Sequence, residues 1–83
     1  MKHITPEELD RLEDLLEGLR EIEWLKEKKR GVFYRKSRAF LHFHEDPAGL
    51  FADVRLDGEI FERYRVTSKK DQRELLTRVK AVG

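Results

Sequence analysis

The chain contains no cysteine, only two prolines, and a single tryptophan and methionine among its 83 residues. Without thiols there is no disulfide framework, no cysteine nucleophile and no thiolate zinc site, a composition that fits a reducing compartment. No apolar run approaches the roughly 18 residues of a membrane-spanning helix, and Met1-Lys2-His3-Ile4-Thr5-Pro6 opens the chain without a signal-peptide apolar region. The expectation is a cytoplasmic protein with no membrane partner. Internal repeats, low-complexity tracts, a phosphate-cradling glycine loop and a strong nucleophile constellation are also missing, so no enzyme is expected. At this length the whole of 1–83 reads as one domain, near the size at which a single core only just outweighs chain entropy.

The net charge of +1 conceals an asymmetry. Residues 1–23 carry eight acids against Lys2, Arg11 and Arg20, a balance of −5, whereas the remainder holds 15 bases against nine acids, or +6. Local fields therefore differ sharply between the two parts. The acidic part is also what a solvated helix face would present.

Thr5-Pro6-Glu7-Glu8 has an N-cap threonine, proline at the first helical position and acids facing the positive helix end. Leu9, Leu12, Leu16, Leu19 and Ile22 then recur at three- and four-residue spacing, with Leu15 widening the stripe. This predicts a first helix whose leucines belong to the core, with Gly18 either ending or weakening it. Trp24 reads as a core plug, and Trp24 to Arg30 fits a short edge strand or an irregular basic connection equally well. Ser68, followed three residues later by Asp71, predicts the cap of a last helix carrying Leu75, Leu76, Val79 and Val82.

Between the helices the period changes to two. Val32 to Arg35, Arg38 to His44, Leu50 to Leu56 and Ile60 to Val66 read as four strands joined by turn-forming residues, of which Asp57-Gly58 is the clearest. Pairing Tyr34 with Ala39, Phe43 with Leu50 and Leu56 with Ile60 brings the aliphatic side chains, with Phe43 and the two tyrosines, to one face, with Glu62 the exception. The other face receives Phe33, Arg35, Arg38, Phe40, His42, His44, Phe51, Asp53, Arg55, Phe61, Arg63 and Arg65. The predicted fold is α+β, a two-layer α-β-β-β-β-α sandwich with an antiparallel meander and both helices on its aliphatic face.

The segment from Gly18 to Leu56, with the run from Arg30 to Leu56 (RGVFYRKSRAFLHFHEDPAGLFADVRL) at its centre, resembles the MmcQ/YjbR group of small bacterial proteins. The resemblance rests on a helix, an aromatic strand, a tight basic turn, a second strand and a short acidic turn, over about half the chain. It implies a two-layer fold with helices on one sheet face and a nucleic-acid-binding role. After Leu56 this chain departs from that pattern, passing through one hairpin strand into its final helix.

Arginine and lysine neutralise phosphates while exposed phenylalanine rings stack on bases. Phe33, Arg35, Lys36, Arg38, Phe40, Phe51, Arg55, Phe61, Arg63 and Arg65 are accordingly the candidate contacts of a non-enzymatic protein that binds DNA or RNA through its uncovered sheet face. The same face, with its phenylalanines and open strand edges, also suits a homodimer or a partner protein. Arginine stems lying over the rings would alternatively shield the face without any ligand. His42 and His44, at i and i+2, are the candidate metal ligands, with Asp46 or Asp53 as a third. Spacing fixes no third ligand, so the expectation is no metal and no cofactor.

Overall fold

Thr5 caps the first helix as its sequence requires, its hydroxyl accepting the Glu8 N–H at 3.3 Å, while its own N–H donates to Glu45 Oε1 at 2.7 Å. The computed structural model describes residues 2–82. Strand β1 (Lys2–His3) precedes α1 (Pro6–Asp10) and α2 (Glu13–Arg20). Five strands follow: β2 (Leu25–Lys29), β3 (Val32–Arg35), β4 (Arg38–Asp46), β5 (Gly49–Val54) and β6 (Glu62–Arg65). Helix α3 (Lys69–Lys80) comes last, with the Ser68–Asp71 capping box closed in both directions.

The architecture is α+β. The sheet runs β2-β3-β4-β5-β6, antiparallel throughout, with β1 pairing with β4 outside this path. The expected meander is therefore present and extended by one strand, β2, with β1 added to the sheet outside it. The segment after Trp24 is the edge strand β2, resolving the open alternative, and the pairing of Lys2–His3 with Glu45 and His44 is an addition the sequence pattern did not predict. The single first helix is divided at Arg11–Leu12 into α1 and α2, and Gly18 lies within α2 rather than ending it.

Leu9, Leu12, Leu15, Leu16, Leu19 and Ile22 pack with Leu41, Phe43, Leu50, Ala52 and Val54 of the sheet and with Leu75 and Val79 of α3 in one core. Removing each large aliphatic side chain from water contributes roughly 1.5–3 kcal/mol, which makes this cluster the main stabilising term. Gln72 is buried beside it and donates from Nε2 to the Val66 carbonyl at 3.1 Å.

Register decides which residues remain outside. The β5–β6 pairing is the expected one, with Asp53 across from Arg63 and Phe51 across from Arg65. In β4–β5, Phe43 faces Ala52 instead of Leu50. That is a slip of two residues, which preserves the faces because side chains alternate with period two. Between β3 and β4 the predicted Tyr34–Ala39 pair is present, but the next pair is Phe33–Leu41, leaving Phe40 as an extra residue in β4.

This bulge corrects the assignment of two phenylalanines. An unpaired residue breaks strict alternation, so Phe33 enters the core at 0% exposure and Phe40 is covered at 3%. Phe40 meets Trp24 edge-on at 5.4 Å. Neither ring is an exposed platform. Ile60 is also displaced from the expected apolar face, because β5 ends at Val54 and β6 begins only at Glu62, and it is 64% exposed, whereas Leu56 packs partly buried against the core.

Candidate functional site on the uncovered sheet face

Alternation along β4, β5 and β6 brings His42, His44, Phe51, Asp53, Arg63 and Arg65 to the side away from the helices. Asp53 is the hub. Its carboxylate accepts from Arg63 Nε at 2.8 Å through Oδ1 and from the same guanidinium at 3.1 Å through Oδ2. Oδ2 also lies 3.0 Å from His44 Nε2 and 3.6 Å from His42 Nε2. Hydrogen bonding from Arg63 is the main reason the Asp53 carboxyl sits below the usual aspartate value, with burial opposing it. Burial first and His44 second push the His42 imidazole below the ordinary histidine value, against the pull of Asp53.

His3 joins the same cluster. It is the cross-strand partner of His44, and the two rings stack with centroids 6.2 Å apart. The His42 and His44 rings meet edge-on at 4.8 Å, so all three histidines of the chain converge. Of the two acids considered as a third partner for the histidines, the structure selects Asp53. Asp46 lies at the end of β4, where its carboxylate accepts from the Ala48 N–H at 3.0 Å and closes the turn.

A second feature lies at the β3–β4 hairpin. Arg35, Lys36, Arg38, Ala39, Phe40, Arg55 and Gly58 line a pocket of about 170 Å3. The turn that builds it places Lys36 in the left-handed backbone region, with φ of 57°, which costs a non-glycine residue about 1–2 kcal/mol. Arg38 donates to the Gly58 carbonyl at 3.0 Å, and Arg35 stacks over Trp24 at 4.6 Å. Arg55 stacks over Phe61 at 4.3 Å, and its Nε is buried with no hydrogen-bond partner among the described residues. Phe61 in turn meets His42 edge-on at 5.1 Å, joining the pocket to the histidine cluster.

Five of the ten residues selected from sequence, Arg35, Lys36, Arg38, Phe40 and Arg55, thus share one pocket, and Phe61 stands beside it. Phe51, Arg63 and Arg65 lie farther along the face. Arg63 is committed to Asp53, while Arg65 donates to the Ala48 carbonyl at 3.0 Å and approaches Asp71 at 3.7 Å. Phe33 belongs to the core. Sequence reasoning missed His3, whose one signal is its place in a two-residue strand too short to read by alternation, and Gly58, which contributes its backbone.

No protein-family model matches this chain, and neither the curated proteins nor the solved structures contain a match.

Proposed function

We propose that this domain binds polyanions, nucleic acid foremost, with the pocket at the β3–β4 hairpin as the phosphate site. The observation that carries this reading is the state of the pocket's cations. Among the described residues, Arg11, Arg20, Arg30, Arg63, Arg65 and Lys69 form ion pairs with carboxylates, whereas Arg35, Lys36, Arg38 and Arg55 form none, Arg55 being within only the longer-range attraction of Asp57. Four basic side chains around one concavity with no acid in its lining repel one another, and an incoming anion relieves that repulsion. Phe61, exposed and already held by Arg55, supplies a ring on which one base can stack. The reading is of a binding domain without catalytic chemistry.

Neutralising about four phosphates predicts a log–log salt slope near −3 for a single strand. Fluorescence anisotropy with labelled single-stranded DNA and RNA measures it directly. Lys36→Glu/Arg38→Glu, two changes at exposed positions, should lower affinity at least tenfold. Undiminished binding by that variant, or binding indifferent to salt, removes the proposal.

A second reading is self-association, favoured by Ile60 and Phe61, which are 64% and 38% exposed beside the open edge of β6. Sedimentation showing a monomer at high concentration excludes it.

A further inference from the structure

We infer that His42, His44 and Asp53 form a binding site for a divalent transition-metal ion, of which zinc is the type, with His3 beside it. The three residues come from neighbouring positions on two paired strands. His42 and His44 project to one side of β4, and Asp53 lies directly across from His42 on β5. One ligand atom from each residue can be chosen so that all lie within 4.8 Å of one another.

Bond lengths make the comparison quantitative. Metal–nitrogen and metal–oxygen distances of about 2.0–2.2 Å in a tetrahedral site separate neighbouring ligand atoms by roughly 3.3–3.5 Å. Asp53 Oδ2 lies 3.0 Å from His44 Nε2 and 3.6 Å from His42 Nε2. These separations bracket the tetrahedral value, so small side-chain rotations on a rigid sheet would seat an ion. Two imidazoles and a carboxylate, with no thiolate in the chain, select zinc and its first-row neighbours over soft monovalent copper.

The surroundings resemble those that tune such centres. Arg63 Nε holds Asp53 Oδ1 at 2.8 Å, fixing the carboxylate plane while Oδ2 points toward the imidazoles. Carboxylate ligands are commonly oriented by such outer hydrogen bonds. The cost is the second Arg63 contact, at 3.1 Å to Oδ2, which an ion would have to replace.

The sheet also leaves the site approachable. β1 pairs with β4 at His44 and Glu45, whereas β3 pairs with it only from Leu41 downward, so among the described residues β4 has no partner on that side at His42 and Phe43. A cleft of about 330 Å3 occupies the gap, with both His42 and His3 in its lining. The ion's remaining position is therefore open to water, to a small ligand, or to His3, whose ring is 6.2 Å from that of His44.

The test uses tag-free protein stripped with chelator and titrated with Zn2+ and Co2+. One equivalent of Zn2+ should shift the His42 and His44 imidazole signals and raise Tm as ligand linkage requires. Co2+ should give visible d–d bands whose intensity reports coordination number. His44→Gln and Asp53→Asn should each weaken binding at least tenfold, and circular dichroism of the metal-free variants checks that they fold. His3→Ala should weaken binding several-fold if His3 takes the fourth position, and not at all if water does. Unshifted imidazole signals with the wild-type chain overturn the proposal whatever the variants do. So does Zn2+ binding that persists at full affinity in folded His44→Gln, since the ion would then lie elsewhere.

Discussion

Phe33 lies directly across from Leu41, and both side chains are wholly buried, although Tyr34, the next residue along, pairs with Ala39. The additional residue between those pairs is Phe40, and it turns a ring expected on the outside into the centre of the core. Truncating Phe33 to alanine should therefore destabilise the fold by about 3–5 kcal/mol, as for other buried aromatics. Phe61→Ala, at an exposed ring, should cost below about 1 kcal/mol, chiefly its cation–π contact with Arg55. Urea unfolding of the two variants measures the contrast. Similar losses for both would contradict the bulged register.

Glu27 links β2 to α2, accepting from Arg20 at 2.6 and 3.1 Å and from the Gly31 N–H at 3.0 Å. Burial works to raise its carboxyl, but Arg20 and the Gly31 N–H outweigh burial and the nearby Glu13, leaving it below the ordinary glutamate value. A depressed folded-state value means that the carboxylate stabilises the fold above the unfolded value, and that this stabilisation is lost as pH falls through the folded one. Glu27→Gln should lose about 1–2 kcal/mol at neutral pH and show a shallower decline in stability on acidification. Denaturant midpoints collected between neutral and strongly acidic pH provide the check.

Gly49 and Gly58 both have positive φ, at 141° and 78°. At Gly58 nothing lies within 4 Å of an added Cβ, so Gly58→Ala should cost only the backbone penalty, about 1 kcal/mol. At Gly49 the Cβ would collide with Thr67 Oγ1, which accepts the Leu50 N–H at 2.9 Å. Gly49→Ala should therefore lose more than about 2 kcal/mol, by combining strain with a broken hydrogen bond. Thermal melts of the two variants separate these costs.

Trp24, the chain's single tryptophan, lies under Arg35 and against Phe40, two residues that line the cationic pocket. An anion drawn to Arg35 should alter the indole's surroundings. Oligonucleotide addition is therefore expected to change Trp24 emission saturably, and Arg35→Gln should abolish most of the change while costing about 0.5–1 kcal/mol of stability from the lost cation–π contact. Emission that stays constant while anisotropy reports binding would place the phosphate elsewhere.

Features set by neighbours in the chain were legible in the sequence. The Thr5 and Ser68 caps, the leucine stripe, the Lys36-Ser37 turn and the Asp53–Arg63 pairing each depend on a few residues whose spacing is written directly in the chain, whereas no tight hairpin forms at Asp57-Gly58, where β5 ends at Val54 and β6 begins at Glu62. Alternation also identified the face carrying His42, His44, Arg55, Phe61 and Arg63, because a two-residue slip in β4–β5 register does not change parity. What tertiary structure decided was a matter of long-range partners. A bulge is visible only when two strands are laid side by side, so the burial of Phe33 and Phe40 could not be read from period alone. His3 reaches the other histidines because β1 pairs with residues 41 and more positions away, and the pocket gathers Arg55 to Arg35 and Arg38 across hairpins that composition does not register. Local spacing determined which side chains were available on the uncovered face; strand pairing, where a single inserted residue reverses inside and outside, determined which of them meet.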